Sequence, residues 1–125
     1  MAVPILKQGP FLIATIQAAL TDTDVLQLQD DVMAQVTRHR SRGIIVDVTA
    51  LDVMDSFVSR SLQGISRMTR LRGAETVIVG IQPEVAFAMV QLGMSFEDVS
   101  TALDLEEGLA LLQRPRGKEA GDGGG

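Results

Sequence analysis

At 125 residues the chain has room for one domain with a real core and not for two. A formal net charge of −5, with no Trp, no Tyr and four Phe, argues against a nucleic-acid surface, which needs basic charge and aromatic platforms. The lack of cysteine excludes disulfides and thiolate metal sites; with no signal peptide and no window near the ~20 apolar residues of a membrane span, a soluble cytoplasmic domain is expected.

In chain order, Ile5-Leu6 reads as a short strand broken by Gly9-Pro10, and Phe11 to Ile16 as a second strand that pairs with it in a hairpin. Thr21 to Asp24 offers several N-caps for a helix running to about Arg40. Val25, Leu28, Val32 and Val36 form its apolar stripe, and Gly43 is expected to end it. Ile44 to Val48 is a buried strand, and a second helix follows from Ser56 to Arg72, closed by Gly73. Gly64, inside that helix, suggests a close approach by something else, because glycine there costs about 1 kcal/mol relative to alanine. Thr76 to Ile81 is a further central strand. The apolar helix from Glu84 to Leu92, begun by Pro83, should be deeply buried or covered by another chain. Val99 to Leu103 forms a last short strand, and Asp104 to Glu107 has the spacing of a capping box for a final helix through Leu112. From Arg114 onward the chain reads as a flexible glycine-rich tail, so the domain spans about residues 1–113 and the tail 114–125. The order β-β-α-β-α-β-α-(β)-α implies an α/β fold, a mixed but mostly parallel sheet flanked by about four helices.

The stretch 44–62 organises the rest. It passes from buried strand to acidic turn to helix, and Val58, Leu62, Ile65 and Met68 mark the buried face of that helix. Ser56 sits where a side-chain oxygen can cap the helix, at the carboxyl end of a strand, the usual place for function in an open α/β sheet. Arg60, Gln63, Arg67 and Arg70 share the outward face of the helix, either as a solvated surface or as a docking face.

Nucleophilic catalysis at Ser56 lacks a base, since the one histidine, His39, stands at the end of another helix. No nucleophile elbow, P-loop or dinucleotide fingerprint is present. Asp47, Asp52 and Asp55 raise the alternative of a small Mg²⁺-dependent phosphohydrolase, although Asp47 lies within the apolar strand and no lysine follows the next one.

The run Asp55-Ser56-Phe57 is preceded by Ile45-Val46-Asp47-Val48-Thr49. It is followed by Gly73-Ala74, Val79-Gly80-Ile81-Gln82-Pro83, Leu92-Gly93 and Thr101-Ala102-Leu103-Asp104-Leu105-Glu106. This series resembles STAS domains of the SpoIIAA-like fold, and more narrowly the RsbS-type stressosome antagonists, from about Pro4 to Leu112. The resemblance implies a non-catalytic anti-sigma factor antagonist-like subunit in stress-response signalling, with no cofactor of its own. The serine after the aspartate, here Ser56, would be phosphorylated by an RsbT-like switch serine/threonine kinase using ATP. Unphosphorylated, the subunit would assemble with RsbR-like STAS paralogues and hold the kinase inactive; a dedicated phosphatase would reset it. Asp52, Asp55, Phe57, Ser59, Arg60, Gln63 and Arg67 are the expected partner contacts, and Ser59 is the rival phosphosite. Phosphorylation adds about −1.5 to −2 charges. At a helix N-terminus the dipole favours that anion, so the fold should survive, while like charges on a docked partner are not so compensated. Two unit charges about 4 Å apart repel by roughly 4 kcal/mol at an effective dielectric near 20, enough to expel a partner. In a third reading the chain is a structural assembly subunit and Ser56 is only a cap, worth about 1 kcal/mol.

Overall fold

The structure is a computed structural model that describes residues 3–94 and 99–115. Strand β1 (Ile5–Gln8) turns through Gly9, at φ 59°, into β2 (Phe11–Thr15), and the two pair antiparallel as expected. Helix α1 (Asp22–His39), β3 (Gly43–Asp47), α2 (Ser56–Leu71), β4 (Glu75–Val79), α3 (Pro83–Gln91), β5 (Ser100–Ala102) and α4 (Leu105–Gln113) follow in strict alternation. The sheet order is β1-β2-β3-β4-β5, with every pair after the first parallel.

Strand alternation divides the core in two. Leu12, Ala14, Ile44, Val46 and Ile78 face one way and meet Val25, Leu28, Val32 and Val36 of α1, Leu62 and Ile65 of α2, and Val85 and Met89 of α3. Phe11, Ile13, Ile45, Val77 and Val79 face the other way, where Leu112 of α4 covers them. Three helices on one face and one on the other follow from the sequential strand order, since each right-handed crossover lands on the same side.

Local chemistry explains most boundaries and corrects several expectations. Thr21 caps α1 through a full capping box, its hydroxyl accepting from Asp24 N–H at 3.1 Å while the Asp24 carboxylate accepts from Thr21 N–H at 3.1 Å. Gly43 does not end α1: Arg40 does, in a left-handed conformation, and Gly43 is the first residue of β3. A Cβ there would lie 2.6 Å from a methyl of Leu112 on α4, so a larger residue would require that side chain to move. Asp104 caps α4 by accepting from Glu107 N–H at 2.9 Å, but Glu107 reaches back to Leu103 N–H rather than to Asp104, so the box is shifted by one residue. Gly64 meets nothing closer than the Gln29 side chain at 3.5 Å, an ordinary contact, so no close approach within the fold accounts for it. On α3 only Val85 and Met89 are buried; Phe87 and Val90 are each 65% exposed, so among the described residues nothing covers this side of the helix. Arg114, assigned to the tail, is instead tied to the fold by a 2.9 Å ion pair with Glu75; the tail from residue 116 lies outside the described residues. No helix among the described residues is long and apolar enough to cross a membrane.

Candidate functional site: the rim around Ser56

Strand β3 brings the chain to the carboxyl rim at Asp47. There the carboxylate turns back on its own loop: Oδ1 accepts from the Thr49 N–H at 3.0 Å and from the Thr49 hydroxyl at 2.6 Å. The Thr49 carbonyl accepts from Gln82 Nε2 at 2.7 Å, a bond that crosses from the β4–α3 connection. Gly80, at φ 75°, allows this approach, because a Cβ there would collide with the Thr49 side chain. Asp47, Thr49, Gly80 and Gln82 thus brace one rim loop against the next. Leu51 and Met54 are buried and seat the remainder of the β3–α2 loop on the core, leaving Asp52 and Val53 in solvent.

Helix α2 then begins one residue away from where Ser56 as cap would start it. Asp55 is the N-cap: it has extended dihedrals and its Oδ1 accepts from Val58 N–H at 2.8 Å. Both residue types cap well, but a carboxylate adds a charge that the helix dipole favours. Ser56 is therefore the first helical residue. Its side chain is exposed, and no hydrogen bond among the described residues engages its hydroxyl. The reading of Ser56 as merely a cap is overturned.

The other predicted residues separate. Phe57 is half-buried and packs against the larger core cluster. Arg60 and Arg67 are exposed and Gln63 half-exposed; at four, seven and eleven residues after Ser56 they share its stripe of α2. Ser59 does not belong with them. It is 3% exposed, with an Oγ that finds no partner, so as a surface contact or rival phosphosite it is sealed off by the packing of its own helix. The alternative built on Asp47, Asp52 and Asp55 loses its ligand set, since among the described residues no three acidic or imidazole side chains gather closely enough to hold a metal. Two of the three aspartates already accept bonds from Thr49 and Val58.

At the start of α2 lies a mostly apolar groove of ≈ 170 Å³ between the β2–α1 and β3–α2 loops, lined by Ala19, Leu20, Leu51, Val53, Met54, Val58 and the N-cap Asp55. It is below the ~300–1,000 Å³ of ordinary small-molecule sites. The sheet order does not reverse between β2 and β5, so the rim has no switch-point crevice of the kind that holds cofactors. What this rim presents is an accessible hydroxyl in the first turn of a helix, among carboxylates.

The Asp47–Thr49–Gln82 brace was not anticipated. The Asp-x-Thr spacing at a strand end, which favours a local side-chain turn, is the signal that points to its first half.

Comparison with known proteins fits this geometry. The family model described as STAS domain matches residues 2–108. RsbT co-antagonist protein RsbRA of Bacillus subtilis is 31% identical over 83 residues, 66% of this chain and 30% of that protein, so the chain spans under a third of this relative's length. RsbS of Moorella thermoacetica, solved as a serine-to-glutamate variant, is 35% identical with a TM-score of 0.80, covering 89% of this chain and 94% of that one. A chain from a structure described as the molecular architecture of the stressosome, a signal integration and transduction hub, is 34% identical with a TM-score of 0.75, covering 88% and 96%. With the family model spanning nearly the whole folded chain, and with RsbR and RsbS stressosome proteins as its relatives, this chain belongs to the STAS-domain family.

Proposed function

We propose that the chain is a non-catalytic regulatory subunit of a stressosome-like partner-switching assembly, holding a serine/threonine switch kinase until that kinase phosphorylates Ser56. The observation that carries this reading is the division of labour at the start of α2: Asp55 satisfies the helix end, and the Ser56 hydroxyl is left exposed with no structural duty. Relatives named as RsbT co-antagonists, and the RsbS and stressosome structures, support the class of partner.

The chemistry is electrostatic. A phosphate at the first helical position faces the free N–H groups of the first turn, which favour it by about 0.3–1 kcal/mol at an exposed site. The subunit therefore stays folded when modified. A kinase docked over the same rim meets added negative charge beside Asp52 and Asp55, and each 1.4 kcal/mol of repulsion costs it tenfold in affinity. Paralogous STAS subunits complete the assembly, and a separate phosphatase restores the hydroxyl.

The test uses the purified chain with its cognate switch kinase and ATP. One phosphopeptide, carrying Ser56, is expected; Ser56→Ala binds the kinase and keeps it, and Ser56→Asp binds at least ~10-fold more weakly. Phosphate on another residue, or both variants binding as the parent does, overturns the reading. The magnesium phosphohydrolase predicts instead turnover of an aryl phosphate that Asp47→Asn abolishes.

A further inference from the structure

The groove at the start of α2 has walls that the core holds in place. On the β3–α2 side Leu51 and Met54 are buried, which seats the turn between them and leaves Val53 outward, 66% exposed. From the β2–α1 loop comes Leu20, half-buried against the larger core cluster. Val58 and Asp55 complete the lining, and Asp55 is both the cap of α2 and the residue before Ser56.

A single exposed valine is ordinary on a protein surface. Val53 differs in its setting. It contributes little to the core, yet it stands on a concavity whose members Leu51, Met54 and Val58 are each at most 8% exposed. At ≈ 170 Å³ the groove is too small for a typical small-molecule ligand and suits one large apolar side chain. Its surroundings carry one sign of charge. The two loops that form it, residues 16–21 and 48–55, contain Asp52 and Asp55 and neither Lys nor Arg. Asp55 has a structural task as the cap. Asp52 is exposed, caps no helix and lies outside the first turn of α2, so the helix dipole supplies no reason for it.

We infer that this groove is the docking pocket for one exposed apolar side chain of the switch kinase, flanked on the kinase by a Lys or Arg that pairs with Asp52. The inference rests on the proposed function and names the contact by which the kinase finds its serine. Because Asp55 lines the groove and precedes Ser56, an anchor seated here brings the kinase to the start of α2. Apolar anchors in pockets carry most of an interface's affinity, whereas charges at its edge govern the rate of association. Such an anchor binds equally well before and during phosphoryl transfer, so it acts on KM and not on kcat.

The test is Val53→Ser, which removes the exposed apolar contact without opening the core; a Tm equal to the parent's shows that it is folded. With the cognate kinase and ATP, it should raise KM for phosphorylation of Ser56 at least ~10-fold at unchanged kcat. Combined with Ser56→Ala, it should weaken kinase binding by the same factor. Asp52→Lys should slow association and reduce its dependence on salt. Val90→Ser, at an equally exposed valine on α3, should be bound and phosphorylated as the parent is. If the parent is phosphorylated on Ser56 and Val53→Ser matches it in KM and affinity, the groove assignment falls while the proposed function stands. Equal losses from Val53→Ser and Val90→Ser also overturn it, as does a Val53→Ser chain that is impaired only in its reset by the phosphatase. A parent chain that the kinase neither binds nor phosphorylates overturns both.

Discussion

Two strand-to-helix junctions lie side by side on the rim and are built differently. The β4–α3 junction takes only residues 80–82: a glycine at positive φ, an extended Gln82 with no side-chain cap bond, and Pro83 as the first helical residue. The β3–α2 junction takes residues 48–55, anchors itself with Leu51 and Met54, and caps its helix with Asp55. Gln82 spends its amide on the neighbouring loop, at the Thr49 carbonyl, instead of on its own helix. The short junction braces and the long one displays. Under the proposed function the hydroxyl that a kinase must reach lies at the end of the long junction, away from the Thr49–Gln82 bond at its start.

That contrast can be broken at its brace. Gly80→Ala places a methyl group against Thr49 on backbone that L residues disfavour; a loss of about 2 kcal/mol or more is expected by urea denaturation, with a Tm lower by roughly 8 °C. If Gly80→Ala were neutral, the two loops would not be coupled. At the displayed junction, Asp55→Ala should cost about 1 kcal/mol, and Ser56→Ala should stay within about 0.5 kcal/mol of the parent. Equal losses from the two would return the capping role to Ser56. Ser59→Ala removes a buried hydroxyl that has no partner and should raise stability by about 1 kcal/mol, which separates it from Ser56 three residues earlier. Gly64→Ala, where a Cβ meets only ordinary contact, should add roughly 0.5–1 kcal/mol by the same assay. If it also lowers kinase binding, the surface of α2 takes part in docking.

The alternation of strands and helices, the hairpin at the start and the position of Ser56 on the rim were all legible, because each rests on periodicity or on a local turn signal. Asp55 and Ser56 are adjacent and both good caps, so their order could not be read from pattern; only the 2.8 Å bond to Val58 decides it. Ser59 looked exposed because an amphipathic stripe was drawn through Val58, Leu62, Ile65 and Met68. In the fold α2 packs on the sheet and on α1, and its buried face widens to take in Ser59, Ser61, Ser66 and Thr69. Thr69 shows the use of those small polar residues, its hydroxyl lying 2.9 Å from that of Thr76 on β4. Gly43 was misread because its reason, the Leu112 side chain, lies far along the chain. Long-range contacts of that kind leave no mark in a local window.

The ion pair between Arg114 and Glu75 has a practical corollary. It fixes the point at which the chain passes Pro115 beside the beginning of β4, across the sheet from the serine. A tether or label attached after that residue therefore starts from a known anchor at the end of the sheet opposite Ser56. A surface-immobilised chain held this way leaves the Ser56 rim facing solution and crowds the opposite end of the sheet, so it should report encounters at the first and silence those at the second.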